Sequence, residues 1–223
     1  DQSSTTADIS TKALTATASA SNKTYNATNS ASVTMTLSGL IGSETLGSTN
    51  TSTFNNKNVG TGKTVTVNSI TLADGTNGGL AANYSISAGQ TTTANITAKS
   101  LTVSGITASN KTYDGNSVAS LDASSVAYSG LVSGDTLNTT FIGAFSDKNV
   151  GTGKTVTITP TYSGSDVSNY SITNHADVTA NITAKSLTVS GVTASDKTYD
   201  STVTATMDAS SAVYSALVDG DDF

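Results

Sequence analysis

The chain repeats itself, and the length of the repeat limits the folds that it can adopt. The segment "SNKTYNATNSASV" begins at Ser21 and returns as "SNKTYDGNSVASL" at Ser109 and as "SDKTYDSTVTATM" at Ser195. Most such segments recur 86 residues apart, as Ser109 and Ser195 do, with slippage of a few residues in the loops. A solenoid repeat has about 20–45 residues, whereas a small all-β domain of about seven strands fits this longer period.

The recurring segments divide the chain into four predicted parts. Residues 1–11 are the end of a preceding repeat, residues 12–98 and 99–184 are two complete repeat domains, and residues 185–223 are the truncated start of a third. These last three parts are called the first, second and third copy below. Because the sequence begins and ends inside a repeat, we expect it to be part of a longer protein.

Within a copy, apolar residues alternate with polar ones at the period of a β-strand. In "KTVTITPTY", Val156, Ile158, Pro160 and Tyr162 share one face, and threonines occupy the other. Threonine and valine are abundant, and both fit a pleated surface. The only helical candidate is a short segment at Leu121–Val126. The sequence therefore predicts an all-β protein of tandem, small, β-sandwich-like domains, either Ig-like or β-grasp-like.

The spacing of apolar residues at the copy boundary predicts how the domains join. Five residues separate Ile96 from Leu101, and the same spacing separates Ile182 from Leu187. Because side chains of a strand alternate faces, an odd step requires a bulge or a change of sheet. No glycine or proline linker interrupts these boundaries, so we expect the domains to be arranged end to end as a rod.

The composition excludes several partners. The net charge is -6, all ten basic residues are lysine, and no basic cluster exists, which argues against nucleic acid and anionic membrane surfaces. No apolar run approaches the roughly 18 residues of a membrane helix. The chain has no cysteine, so it has neither a disulfide framework nor a thiolate metal site.

The peptide "GTGKT" occurs at Gly60 and again at Gly151, and it is similar to part of a phosphate-binding loop. Such a loop needs a further glycine five residues before the second glycine of this peptide, where this chain has Lys57 and Lys148, and it must open a helix. Strand patterns follow instead. We therefore expect both glycines of each peptide, Gly60 with Gly62 and Gly151 with Gly153, to supply positive φ angles between strands, with the lysine exposed.

Five segments of the second copy, in order, carry a family resemblance: "NKTYDGN", "SGLVSGDTL", "GAFSDKNVGTGKTVTI", "SGSDVSNYSI" and "TANITAKSLTV". They resemble the YDG domain, which occurs as tandem repeats in filamentous-haemagglutinin-like and related large secreted bacterial adhesins. Only Tyr113-Asp114-Gly115 is a complete YDG; the first copy has Ala27 and the third has Ser201 in place of glycine. If this position requires φ > 0, Ala27 adopts it at a cost.

The candidate functional residues are few. The single histidine, His175, has no counterpart in the first copy and fits a surface loop, so we expect no enzyme. Converging turn aspartates would bind Ca²⁺, but aspartates that cap their own turns are the simpler interpretation. The calcium candidates are Asp114, Asp135, Asp147 and Asp166. No other cofactor is expected.

Recurring tyrosines and asparagines allow further interpretations. Tyr113 and Tyr170 are candidates for stacking on a glycan, although a buried ring explains their recurrence equally well. An isopeptide bond would need Lys57 or Lys148 to reach an asparagine other than its own neighbour. N-x-[ST] sequences at Asn22, Asn95, Asn110 and Asn181 leave glycosylation open.

The resemblance implies a structural stalk repeat of a bacterial cell-surface or biofilm adhesin, which is extracellular and spaces or displays an adhesive region. Neighbouring repeats of the same chain are the expected partners, and identical chains are a further one if the repeats self-associate. The alternative is a module that binds glycan or exopolysaccharide. Ice binding through Thr-x-Thr runs is a third hypothesis, and it would need a flat threonine lattice that short strands do not provide.

Overall fold

A computed structural model describes residues 5–222 of the chain. The outermost residues of the predicted segments 1–11 and 185–223 lie outside this range. The described chain consists of strands, loops and two single-turn 3-10 helices, Ala81–Asn83 and Val167–Asn169, and it has no α-helix. The predicted all-β class is therefore confirmed. None of the helices in the described range is long and apolar enough to cross a membrane.

The strands of each copy follow one another in the same order. The first copy has β1 (Lys12–Ala13), β2 (Thr15–Ala20), β3 (Lys23–Thr24), β4 (Val33–Ser38), β5 (Leu46–Phe54), β6 (Gly60–Asp74), β7 (Tyr84–Ser85) and β8 (Thr91–Thr97). The second has β9 (Lys99–Ser104), β10 (Thr107–Ala108), β11 (Lys111–Thr112), β12 (Val118–Ala119), β13 (Leu121–Asp122), β14 (Ala127–Ser129), β15 (Asn138–Phe145), β16 (Gly151–Ser163), β17 (Tyr170–Thr173) and β18 (Val178–Thr183). The third has β19 (Thr188–Ser190), β20 (Thr193–Ala194), β21 (Met207–Asp208) and β22 (Val213–Ser215).

Each complete copy has one larger sheet with the same strand order. This sheet is β3-β8-β6-β5 in the first copy and β11-β18-β16-β15-β12 in the second. Its first pair is parallel, with Lys23 opposite Ile96 and Lys111 opposite Ile182, and the long central hairpin is antiparallel. The alternation predicted for "KTVTITPTY" is confirmed, because Val156 and Ile158 are buried while the intervening threonines are exposed. In the second copy, Ala119, Phe145, Val156, Ala180 and Ile182 form the core of this sheet.

The opening strand of each copy belongs to a different sheet. In the first copy, β1 pairs with β7 in parallel and β2 pairs with β4 in antiparallel. In the second copy, β9 lies between β14 and β17. A single residue, Ala98, separates β8 from β9, and Ile96 and Leu101 on either side of it are both buried. The change of sheet predicted from the odd spacing of these two residues is thus confirmed.

The predicted helix at Leu121–Val126 is wrong. Leu121 and Asp122 form strand β13, and the chain then turns. The Asp122 carboxylate accepts a hydrogen bond from the backbone N–H of Ser124 at 2.9 Å, and this bond lowers the pKa of Asp122. An aspartate that binds the backbone two residues ahead stabilises a turn at the expense of a helix.

Compact units of the chain do not coincide with its sequence copies. Unit 1 contains the residues up to Thr102 together with Ser129–Asn138 and Ser163–Thr173 of the second copy. Unit 2 contains Val103–Tyr128, Thr139–Tyr162 and the residues from Asn174 onwards. Two segments of the second copy therefore pack within the same unit as the first copy.

Candidate functional site

The "KTYDG" segment folds into a turn that is closed by its own lysine. In the second copy, the Lys111 ammonium donates hydrogen bonds to the Asp114 carboxylate at 2.7 Å and to the Asn116 and Val118 backbone carbonyls. The same carboxylate accepts from the backbone N–H of Asn116 at 3.2 Å. The lysine holds the pKa of Asp114 below its usual value. Gly115 completes the turn with a φ of 79°.

The same turn recurs in the other two copies, although neither has the glycine. Lys23 binds Asn26 at 2.9 Å, and Lys197 binds Asp200 at 2.8 Å. The residues at the glycine position, Ala27 and Ser201, both have a φ of 62°. The predicted need for a positive φ is therefore confirmed, and Ala27 and Ser201 bear the steric cost that Gly115 avoids.

The tyrosine of this turn is buried in the first copy by a residue of the second. Tyr25 is 1% exposed, and its ring lies edge-on to the ring of Tyr170 with 5.6 Å between centroids. By contrast, Tyr199, the equivalent residue of the third copy, is 88% exposed. Edge-to-face contact of this kind stabilises a pair of buried rings beyond the area they bury. The Tyr25 hydroxyl is buried and has no hydrogen-bond partner among the described residues.

Tyr170 is fixed through its hydroxyl group. This hydroxyl donates to the Asp135 carboxylate at 2.6 Å and accepts from the backbone N–H of Val132 at 2.9 Å. Burial, together with the hydrogen bond to Asp135, raises the pKa of Tyr170 to about 12. The hydroxyl therefore stays protonated, and the ring is held in the orientation that meets Tyr25.

Lys57 of the first copy binds two acidic residues of the second. Its ammonium lies 3.2 Å from the Asp166 carboxylate and 3.7 Å from that of Asp135. The carboxylate side chains are only 14% and 3% exposed, respectively. The interaction raises the pKa of Lys57 and lowers the pKa of Asp166, so both groups remain charged. Tyr25, Lys57, Asp135, Asp166 and Tyr170 are called the junction cluster below.

A buried asparagine adds backbone recognition beside the junction cluster. Asn169 is 1% exposed, and its Oδ1 accepts from the backbone N–H of Val59 at 2.9 Å. Its Nδ2 approaches Asn58 Oδ1 at 3.4 Å. These contacts join the "KNV" loop of the first copy to the "NYSI" segment of the second, and all of them lie within unit 1.

The cluster recurs, in part, between the second and third copies. Within unit 2, the Tyr113 hydroxyl donates to Asp221 at 2.9 Å, and the Lys148 ammonium lies 3.9 Å from the same carboxylate. Asp221 is 86 residues after Asp135 and occupies the equivalent position. The same residue types thus contact each other at two successive copy boundaries.

A family comparison identifies the repeat. The family model described as the YDG domain matches residues 10–94 and 97–180. The chain belongs to the YDG domain family. Comparisons with the curated proteins and with the solved structures give no match. In both matched YDG domains, the family match spans the lysine-closed turn, the "KNVGTGK" segment and the "NYSI" strand.

The "GTGKT" peptides of the two YDG domains form β-bulges, and no helix follows them. Gly62 and Gly153 have φ angles of 59° and 60°, as predicted, and the pairing register shifts beside each of them. The prediction of a positive φ is wrong for Gly60 and Gly151. Their Cα atoms lie under the following lysine, since an added Cβ would come 3.3 and 3.2 Å from its Cδ.

The lysine of this peptide is also not exposed as predicted. The Lys154 side chain is 11% exposed, and its ammonium binds the Asp147 carboxylate at 2.7 Å. Lys63 binds Asn56 at the same distance. Each lysine reaches back over the glycine to the preceding loop, so it stabilises the loop and is not available for a phosphate group.

The four calcium candidates bind lysines instead of converging. Asp114 binds Lys111, Asp147 binds Lys154, and Asp135 and Asp166 both contact Lys57. Within residues 5–222, no group of three or more His, Asp or Glu side chains is placed to hold a metal ion. Of the glycan candidates, Tyr170 is 8% exposed and Tyr113 is partly buried.

The N-x-[ST] asparagines have a structural role that the sequence did not reveal. Asn22 Oδ1 accepts from the backbone N–H of Asn95, and Asn95 Oδ1 accepts from that of Gly62, at 2.7 and 2.8 Å. Asn110, Asn181 and Gly153 form the same chain of hydrogen bonds. His175 is partly exposed in a loop, and its Nδ1 lies 2.6 Å from the carbonyl oxygen of Ala176.

Proposed function

We propose that this chain is a structural stalk segment of a secreted bacterial surface or biofilm adhesin of the filamentous-haemagglutinin-like class. In this proposal, sandwich-like YDG domains are arranged end to end and space or display an adhesive region. Neighbouring repeats are the principal partners, and the protein works outside the cell without catalysis or a cofactor. Membership of the YDG domain family supports this assignment through the tandem occurrence of such domains.

The junction cluster is the observation that carries the proposal. A stalk must transmit force from one domain to the next, and a flexible linker would let the domains turn independently. Here a single residue separates the last strand of one copy from the first strand of the next. The cluster adds a buried aromatic pair and a lysine shared by two aspartates across that boundary.

The surface composition is consistent with a long array of similar domains. Ten lysines against sixteen acidic residues give the chain a net charge of -6, so neighbouring chains repel one another at neutral pH. Identical exposed sheet edges would otherwise favour aggregation between domains.

Single-molecule stretching of the whole chain tests the mechanical role. We expect a separate unfolding event for each complete copy, with the first and second copies resisting force as a joined pair. Replacing Lys57 with Met should lower the force at which the pair separates and leave the length released by each domain unchanged. A chain that extends without discrete events, or a variant with unchanged forces, would contradict the stalk role.

Glycan binding is the second candidate function, and the exposed ring of Tyr199 favours it. A tyrosine that is 88% exposed can stack on a sugar. Retention of the chain on immobilised exopolysaccharide, lost on replacing Tyr199 with Ala, would support this function. Equal retention of both proteins, or none of either, would remove it.

A further inference from the structure

The opening sheet of the third copy has one strand fewer than that of the second. In the second copy the sheet order is β14-β9-β17. In the third copy β22 pairs with β19, at positions equivalent to β14 and the end of β9, and no strand in the described range occupies the position of β17. One edge of the segment Lys185–Ser190 is therefore unpaired within that range.

Two complete copies show which strand belongs at this edge. In the second copy, Tyr170, Ser171, Ile172 and Thr173 pair in parallel with Lys99, Ser100, Leu101 and Thr102. In the first copy, Tyr84 and Ser85 pair in parallel with Lys12 and Ala13. Each time the incoming strand starts with the tyrosine of "NYSI" opposite a lysine. At the third copy the equivalent lysine is Lys185.

A cavity lies beside the unpaired edge, at the position that a tyrosine fills in unit 1. Its volume is about 200 Å³, and its lining includes Tyr113, Val150, Leu187, Val218 and Asp221. The equivalent residues in unit 1 are Tyr25, Val59, Leu101, Val132 and Asp135. Of these, Tyr25, Val132 and Asp135 all contact Tyr170, and Val59 binds Asn169. The cavity is thus the counterpart of the occupied Tyr170 site.

The exposure of equivalent residues agrees with a missing strand. Leu101 is fully buried next to β17, whereas Leu187 is 36% exposed. Val103 is 2% exposed and its counterpart Val189 is 54% exposed. Apolar side chains that form a core in one copy are therefore in contact with solvent in the next.

We infer that this edge and cavity bind an Asn-Tyr-Ser-Ile strand supplied by another YDG repeat. The strand enters parallel to Lys185–Thr188, with its tyrosine opposite Lys185 and its isoleucine opposite Leu187. The tyrosine ring packs against Tyr113, and its hydroxyl donates to Asp221 and accepts from the backbone N–H of Val218. The asparagine amide accepts from the backbone N–H of Val150. Main-chain pairing supplies affinity and the tyrosine supplies specificity, as in other cases of strand addition.

This inference rests on the part of the proposed function in which neighbouring repeats are the partners, and it can be tested separately. Because the chain has no cysteine, a single Ser186→Cys substitution gives one reactive thiol. The probe is a synthetic peptide of sequence DVSNYSIT, identical to Asp166–Thr173, with cysteine at either its first or its second serine. Paired residues of neighbouring strands lie within the range of a disulfide bond.

Disulfide capture in a glutathione buffer is the measurement. We expect the peptide with cysteine at the Ser171 position to be captured faster than the peptide with cysteine at the Ser168 position. Replacing the peptide tyrosine with alanine should slow capture by at least about tenfold, because a buried aromatic ring is lost. Hydrogen exchange should report new protection at Ser186 and Thr188 in the captured complex.

Matched protein variants separate binding from nonspecific capture. Val150→Asp places a carboxylate in the cavity and should slow capture, whereas Val203→Asp makes the same change at a fully exposed position and should not. Equal capture of the tyrosine and alanine peptides, or equal effects of the two Asp variants, would overturn the inference. The first-copy junction is untouched by these changes, so such a failure leaves the stalk proposal standing.

Discussion

The ring of Tyr25 meets the ring of Tyr170 edge-on, with 5.6 Å between centroids and planes inclined by 76°. The first residue belongs to the "KTY" turn of one YDG copy, and the second begins the "NYSI" strand of the next. The hydroxyl group of Tyr170 makes two hydrogen bonds, whereas that of Tyr25 is buried and makes none among the described residues. The two tyrosines therefore contribute through different atoms.

Removing the two hydroxyl groups should have opposite effects. Tyr170→Phe leaves the nearly buried Asp135 without its donor and should lower the free energy of unfolding by about 1.5–3 kcal/mol. Tyr25→Phe keeps the ring and deletes an unpaired polar group, so the free energy of unfolding should stay constant or rise by up to about 1 kcal/mol. Urea denaturation of both variants checks this. Equal destabilisation by the two substitutions would contradict the hydrogen-bond assignment.

The lysine-closed turn predicts a second pair of opposite effects. Ala27→Gly should raise the free energy of unfolding by about 0.5–1 kcal/mol, since it removes the cost of a positive φ and adds only part of it back as entropy. Gly115→Ala should lower it by about 1–2 kcal/mol, because its Cβ is strained and would also meet Val218 Cγ1 at 2.7 Å. Thermal unfolding of both variants is the measurement, and a loss of stability in Ala27→Gly would refute the account of this turn.

Lys57 should matter more than its surface position suggests. Lys57→Met leaves two carboxylates that are largely shielded from water without their cation, so we expect a lower midpoint of thermal unfolding. Lys12→Met is the matched control, because Lys12 is exposed and forms no ion pair with the described residues. High salt should reduce the difference between wild type and Lys57→Met. Indistinguishable midpoints for the two variants would remove Lys57 from the junction.

The junction should weaken in alkaline solution. The pKa of Tyr170 is raised from 10.0 to about 12, and that of Lys57 is raised from 10.5. Each group binds its proton more tightly in the folded state, so its contribution is complete below pH 10 and is lost as the pH rises through 12. Urea midpoints measured across this range should fall, and they should fall less steeply in Tyr170→Phe. A midpoint that is constant between these limits would contradict the assignment.

The strands of this protein could be predicted from sequence, because they depend on local alternation. Val156 and Thr155 face opposite sides of β16 for the same reason that they alternate in the sequence. The change of sheet at Ala98 was also readable, since the odd step between Ile96 and Leu101 is a local feature. Burial was less predictable. Leu187 occupies the inward face expected of it and is exposed because no strand covers it.

The junction cluster could not be predicted from local patterns. Lys57 and Asp166 lie in different copies, and neither has a sequence signature that points to the other. The recurrence of "KNVG", "SGD" and "NYSI" at a fixed spacing was the available signal, but it does not say which segment meets which. The error at Gly60 has a similar origin, because a Gly-x-Gly pattern does not reveal which glycine adopts the positive φ.

The central claim is that the junction cluster holds consecutive YDG copies in one fixed arrangement. Spin labels on cysteines introduced at the exposed positions Thr71 and Thr161 would report the distance between the first and second copies by pulsed electron paramagnetic resonance. We predict one narrow distance distribution in the wild-type background and a broad one after Tyr170→Ala, with the β-sheet circular dichroism signal retained. A broad distribution in the wild type, or an identical narrow one in the variant, would contradict the claim.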